Sequence, residues 1–383
     1  MPSINPKQPI IVCGGGGFIG GHLVKEMLAL GYRNVISVDK KPLTEWYQVH
    51  KAATNIGGPK GDLMSMDNCR RVMKGNKGAK VYQLAADMGG MGFIETHKAE
   101  CMLSVMINTQ MLVAAKEVGV DRFFYSSSAC VYNADKQTNA DVTALKEEDA
   151  YPAMPEDGYG WEKLFSERMC RHFREDYAVP TRMARFHNVY GPFGTWEGGR
   201  EKAPAAICRK VMHAKHTGNH HIEIWGDGEQ TRSFMYITDC TKGIRMFTDS
   251  ENFFEPLNLG SSELVSINQL VSIAEEIAGI KLNRSYKLDA PKGVRGRNSD
   301  NTLIKKIHKW EPDTRLRDGM AETYKWIEAE YLEKYGSKTL GIPAKGGKNG
   351  HAKANGKTKL SKPKAAKGKP SGKKKAKSAA RAR

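Results

Sequence analysis

Ile10-Ile-Val-Cys-Gly-Gly-Gly-Gly-Phe-Ile-Gly20 runs four apolar residues into four glycines, and residues 18–30 then repeat apolar positions at helical spacing until Gly31 stops them. That order is a strand, a tight turn and a helix. The glycines satisfy GxxGxxG at Gly14, Gly17 and Gly20 and GxGxxG at Gly15, Gly17 and Gly20, with Phe18 and Ile19 opening the helix. Glycine permits the turn and lets backbone N–H groups approach a pyrophosphate, whose charge the helix N-terminus favours.

Outward from this unit the alternation continues. Residues 34–38 form a second strand ending in Asp39, and residues 80–84 and 122–125 read as further buried strands. Residues 64–74 and 96–118 have helical character, a long helix covers 159–177, and 181–186 returns to the sheet. Strands alternating with helices predict an α/β, Rossmann-like, doubly wound parallel sheet. After Tyr190-Gly-Pro-Phe-Gly194 the texture changes to glycine-rich loops, a helix at 203–212, short strands at 222–225 and 232–235, and helical patterns at 267–277 and 316–335. We therefore expect a mainly dinucleotide-binding domain over 1–190 and a smaller α/β substrate-binding lobe over 191–335, some of whose segments return to the first domain. A tail occupies 336–383.

The chain has 383 residues, 40% hydrophobic and 27% charged, enough for a sizeable core. Its net charge of +18 is concentrated: from Gly336 onward there are 16 Lys and Arg and no Asp or Glu, which leaves 44 basic against 42 acidic residues in the rest. Such a tail buries too little apolar surface to offset the entropy of ordering and is expected to be disordered. It reads equally as a polyanion- or nucleic-acid-binding arm acting by counterion release and as a solubilising extension; it has no aromatic residue for base stacking. Seven scattered cysteines without CxxC pairing argue against a disulfide framework and against a zinc site, so no metal is expected. No signal-peptide pattern opens the chain, and no apolar run approaches the ~18 residues of a membrane span. The expected compartment is the cytoplasm.

Asp39, about twenty residues beyond the glycine loop, is placed to accept hydrogen bonds from an adenosine ribose and to repel a 2′-phosphate. This favours NAD, although Lys40 and Lys41 leave NADP open. Asp62 reads either as a contact to the adenine edge or as a cap for the helix near Met64. Tyr159 and Lys163, four apart on one helix, face the same way. Lys163 is expected to hold a ribose hydroxyl and to favour the phenolate of Tyr159, turning a phenol of pKa about 10 into a base. Two other pairs, Tyr47/Lys51 and Tyr132/Lys136, share the spacing. Position selects Tyr159, which follows the serine-rich end of a central strand where Ser128 can share the substrate hydroxyl.

The glycine loop, Ser128 and the Tyr159/Lys163 pair together resemble the sugar-nucleotide members of the extended short-chain dehydrogenase/reductase family. Ala85-Ala-Asp-Met-Gly-Gly-Met-Gly-Phe93, Ser127-Ser-Ala-Cys-Val-Tyr132, Arg185-Phe-His-Asn-Val-Tyr-Gly-Pro-Phe-Gly-Thr-Trp-Glu-Gly-Gly-Arg-Glu-Lys-Ala-Pro-Ala-Ala206, Trp225-Gly-Asp-Gly-Glu-Gln-Thr-Arg-Ser-Phe234 and Gly293-Val-Arg-Gly-Arg-Asn-Ser-Asp-Asn301 narrow it. Over roughly residues 10–330 the chain is similar to the GDP-mannose 3,5-epimerase family. The resemblance implies that Cys130 and Lys202 form an acid/base pair. It also implies substrate contacts at Gly89, Ser128, Cys130, Asn188, Glu201, Lys202, Lys210, Gln230, Thr231, Arg232 and Arg297, GDP-mannose as substrate, and a homodimer paired through long helices.

The implied chemistry borrows a hydride from C4 of the hexose, and the resulting ketone acidifies the hydrogens at both C3 and C5. Cys130 suits the base if a nearby positive charge or the cofactor lowers its pKa from about 8.5, and Lys202 suits the proton donor. The products would be GDP-L-galactose and the singly inverted GDP-L-gulose. The bland alternatives are a small buried cysteine, and Arg232 and Arg297 as solvated surface charges rather than diphosphate partners. Among functions, a nucleotide-sugar 4-epimerase needs Ser128, Tyr159 and Lys163 but no thiol. A 4,6-dehydratase would place a carboxylate where Ala129 and Cys130 stand. A catalytically inactive, NAD-binding, nucleic-acid-associated protein would keep only the fold.

Overall fold

The apolar runs separated by helical periods pair into a seven-stranded parallel sheet. In the computed structural model, which describes residues 4–291 and 293–339, the first half of the chain contributes β1 (Ile10–Cys13), α1 (Phe18–Ala29), β2 (Val35–Val38), β3 (Thr54–Ile56), α2 (Met66–Met73), β4 (Lys80–Gln83), α3 (Met91–Thr96), α4 (Lys98–Val118), β5 (Arg122–Ser128), α5 (Tyr159–Tyr177), β6 (Thr181–Phe186) and β7 (Val189–Tyr190). The second half adds α6 (Ala203–Thr217), β8 (His221–Trp225), β9 (Thr231–Ser233), β10 (Met235–Tyr236), α7 (Ile237–Thr248), β11 (Leu257–Leu259), β12 (Leu264–Ser266), α8 (Ile267–Ala278), β13 (Asn283–Lys287), β14 (Gly296–Arg297), α9 (Thr302–His308) and α10 (Leu316–Thr339).

The main sheet has the order β11-β6-β5-β4-β1-β2-β3. Strand order reverses between β1 and β4, and such a switch point opens a crevice at the carboxyl ends of the strands. Ile11 pairs with Ile36 on one edge and Val81 on the other, and all four residues of β1 are buried beneath helices on the two faces, so its run of apolar residues needs no alternation. One face packs under α2, α4 and α5 through Val72, Met111, Leu112 and Cys170; the other packs under α1 and α7 through Leu23, Met27, Ile244 and Phe247. A third cluster gathers Trp196 from the loop before α6 with Val211, Ile224, Leu270, Met320 and Ile327 from α6, β8, α8 and α10.

Several boundaries differ from the sequence pattern for physical reasons. Strand β5 runs on to Ser128 because the hydroxyls of its serines find partners inside: Ser126 Oγ donates to Gln83 O at 3.2 Å and Ser127 Oγ to Glu167 Oε1 at 2.5 Å. The helical stretch expected from 96 breaks at His97, whose φ of −127° and ψ of 45° separate α3 from α4. Strands β3 and β11 and helix α7, all in or against the main sheet, are short or lie beyond the change of texture. The expected disorder and polyanion binding of the tail lie, from residue 340, outside the described residues.

Candidate active site

The crevice between β1 and β4 begins with the glycine loop. Gly14 adopts φ +81°, and a Cβ on Gly20 would sit 2.1 Å from Gly14 O, so the turn requires glycine at both positions. Gly17 precedes α1 with no side-chain cap, leaving the first-turn N–H groups available to an anion. At the end of β2, a half-buried Asp39 accepts from Lys41 N at 3.0 Å and lies beside the Gly16 N–H. Burial pushes its carboxyl above the usual range, and the backbone and lysines around it pull the other way. Of the two lysines that could hold a 2′-phosphate, Lys40 is paired with Asp87 at 3.0 Å. Asp62 Oδ1 accepts from Met64 N at 3.0 Å, while the cap of α2 is Ser65, so Asp62 does not serve as that cap. The donor set fits an adenine dinucleotide with an unphosphorylated ribose.

Tyr159 opens α5 after Gly158, whose φ is +71°. Gly160 presses so closely on the Cys130 loop that a Cβ there would lie 2.4 Å from Cys130 O. This contact fixes the Tyr159 phenol near the thiol and beside the Ser128 hydroxyl. The expected role of Lys163 is only partly met. Its buried amine donates to Tyr125 Oη at 3.2 Å, lies 3.5 Å from Glu162 Oε2, and stands 5.4 Å from the centre of the Tyr159 ring. Burial, then Cys130 and Glu162, push the Tyr159 phenol well above its ordinary value, against the expectation of a favoured phenolate.

Cys130 is 6% exposed and lines a cavity of about 290 Å³ together with Gly89, Ser128, Tyr159, Asn188, Glu201, Lys202, Lys210, Gln230, Arg232 and Arg297. Thus all the expected substrate residues except Thr231 share one cavity. Thr231 turns its hydroxyl to Ala140 O instead. Lys202 stands just before the first turn of α6, and burial lowers its pKa while the nearby Cys130 raises it. Burial and then Glu156 push the Cys130 thiol up, and Arg297 opposes them. The positive charge expected near the sulfur is therefore present but outweighed.

Other wall residues are already anchored to the backbone. Asn188 Nδ2 donates to Ser233 O at 3.0 Å, Lys210 Nζ to Glu223 O at 2.7 Å, and Gln230 Nε2 to Trp225 O at 2.7 Å. Arg232 donates to Thr231 O and Val294 O at 2.7 and 2.6 Å, and burial brings its pKa down to about 10. Neither Arg232 nor Arg297 is a solvated surface charge: Arg297 is 4% exposed.

Sequence patterns did not point to three further residues. Arg200 Nη1 donates to Asp87 Oδ1 at 2.7 Å, and its guanidinium lies 3.7 Å from the centre of the Phe93 ring. Gly90 N also donates to Arg200 O at 3.0 Å, so the segment carrying Lys202 is strapped across the Gly89–Gly92 loop. Asp87 thus joins Lys40, at the cofactor edge, to Arg200. Glu156, in the turn before α5, pairs with Arg297. Asp87 and Arg200 sit within the stretches that carry the family resemblance but had no role implied there, and Glu156 occupies a loop with no periodic signal.

Residues 10–260 match the model of the NAD dependent epimerase/dehydratase family. The chain is 46% identical over 343 residues to GDP-mannose 3,5-epimerase 1 of Oryza sativa subsp. japonica, covering 89% of this chain and 86% of that protein. It is 44% identical over 334 residues to the GDP-mannose 3,5-epimerase of Arabidopsis thaliana, covering 87% and 85%. The crystal structure of UDP-glucuronic acid 4-epimerase from Bacillus cereus, in complex with UDP-glucuronic acid and NAD, has the same fold with a TM-score of 0.70 at 24% identity, over 84% of this chain and 100% of that one. The cofactor the crevice is built for is NAD. A switch-point crevice of this kind, a matching family model and relatives alike over most of their length place the chain in one group: it belongs to the NAD dependent epimerase/dehydratase family.

Proposed function

We propose that the protein is a GDP-mannose 3,5-epimerase, inverting both carbons through a 4-keto sugar to give GDP-L-galactose and, after one inversion, GDP-L-gulose. The observation that carries this reading is the placing of Cys130 and Lys202 in the same cavity as Ser128 and Tyr159. NAD bound in the crevice would supply a reversible hydride acceptor for C4, with no net redox change over the cycle. Ser128 and Tyr159 hold the C4 hydroxyl, and Tyr159, which must be in its phenolate form for this step, takes its proton. Lys163 lies below the phenol on the next turn of α5 and holds the ribose side of the cofactor site. Gly14, Gly17, Phe18, Ile19, Gly20, Asp39 and Asp62 make up the rest of that site.

With C4 as a ketone, C3 and C5 each become acidic. Cys130 removes the proton and Lys202 delivers one to the opposite face, which requires the sulfur as thiolate and the amine as ammonium. Residues 1–190 mainly serve the cofactor and 191–335 mainly the nucleotide sugar. The decisive test is product identity by NMR after incubating GDP-mannose with the NAD-loaded protein. GDP-L-galactose supports the reading; a product inverted only at C4 would favour the nucleotide-sugar 4-epimerase.

We infer also a homodimer paired through α4 and α5, where Met102, Leu103, Met106, Trp161 and Phe165 are exposed large apolar residues. Met102 and Met106, like Trp161 and Phe165, are spaced to share a helix face. Seven unpaired cysteines suit a reducing compartment, the cytoplasm. For the basic tail, polyanion binding is tested by the salt dependence of DNA retention with and without residues 336–383.

A further inference from the structure

We propose that Glu156 is a positioning residue of this reaction: it clamps Arg297 against the Cys130 sulfur and thereby governs when that sulfur gives up its proton. The proposal rests on the reading of Cys130 as the base. Glu156 is fixed to the thiol loop itself, since its N–H donates to Cys130 O at 3.0 Å. Its carboxylate pairs through Oε1 with Arg297 Nη2, while Oε2 is buried and without a hydrogen-bond partner among the described residues. Arg297 has each arm engaged: Nε donates to Gln137 Oε1 at 2.6 Å, and Nη1 lies 3.6 Å from Cys130 Sγ. So held, the guanidinium serves the sulfur before it can serve a diphosphate.

Charge counting gives the consequence. Carboxylate, guanidinium and thiol sum to zero in a buried setting; the same three with a thiolate sum to one negative charge, which burial penalises. Glu156 therefore keeps the proton on sulfur in the resting protein by neutralising the cation that would otherwise release it. The charged and titratable groups that bear on the sulfur are Glu156, Arg297, Arg232, Lys202 and Tyr159. Of these, Glu156 is the carboxylate. The direction of the thiol's ionisation agrees, with burial and Glu156 raising it and Arg297 lowering it.

The test is the pH dependence of iodoacetamide alkylation of Cys130 in the NAD-loaded, full-length protein, followed on the Cys130 peptide by mass spectrometry. No sugar turnover is involved, so a wrong substrate assignment leaves the test intact. Glu156→Gln is expected to move the midpoint of alkylation down by about one pH unit or more. Glu156→Asp, which keeps the charge, stays near the wild-type midpoint. Arg297→Gln moves the midpoint up and supplies the opposite sign should Glu156→Gln fail to fold. A Glu156→Gln midpoint that is unchanged or higher, or an Arg297→Gln midpoint at or below the wild type, overturns the proposal.

Discussion

Cys130 and Lys202 are under opposite pressures in the same cavity. Burial raises the thiol and lowers the amine, which pushes each toward its neutral form, whereas inversion needs thiolate and ammonium. The sign of the pH dependence follows. Below both ionisations the amine stays protonated and the thiolate fraction grows about tenfold per pH unit, so the rate of C3 and C5 exchange should climb with pH through neutrality. Above the lowered pKa of Lys202 the ammonium is lost and the climb flattens. Initial rates across pH check this; a rate independent of pH on the acidic side would contradict a thiol base. The identities of Cys130, Tyr159 and Lys202 were legible in the sequence because local motifs carry them. The protonation of Cys130 was not, since it depends on Glu156 and Arg297, which lie far apart along the chain and meet only in the fold.

At the level of elements, the glycine loop and α5 were legible from local signals: α5 occupies the 159–177 span its pattern predicts. The break between α3 and α4 was not, because the fold imposes it at His97 within an otherwise helical stretch. Nor were β11 and α7, which return to the main sheet by tertiary packing. Gly20→Ala should push a methyl into Gly14 O, where a Cβ would be 2.1 Å away. We expect a loss of NAD binding in a fluorescence titration and a destabilisation of about 1–3 kcal/mol by denaturant unfolding. Arg200→Ala releases the strap from Asp87 and Phe93. It should lower kcat by about tenfold to a hundredfold through misplacement of Lys202, while NAD binding is retained. An unchanged kcat would show that the strap does not position the amine.

Across the whole molecule, one cavity joins residues at the carboxyl edge of the main sheet with β8, β9, β14 and α6, which close its far wall. The class of fold was legible from the alternation of strands and helices. The return of later segments to the first sheet needed the third dimension. The exposed apolar face on α4 and α5 gives a prediction at this scale: the proposed homodimer should be seen in size-exclusion chromatography with light scattering for the wild type, and a monomer for Phe165→Glu. The central claim, that one transient C4 ketone lets Cys130 and Lys202 invert both neighbouring carbons, is tested most directly by NMR of GDP-mannose incubated in deuterated water with NAD-loaded wild-type protein and with Cys130→Ala. The account predicts solvent deuterium at C3 and C5 with the wild type, and none with Cys130→Ala although NAD remains bound. Normal exchange by Cys130→Ala, or exchange at neither carbon by the wild type, would contradict it.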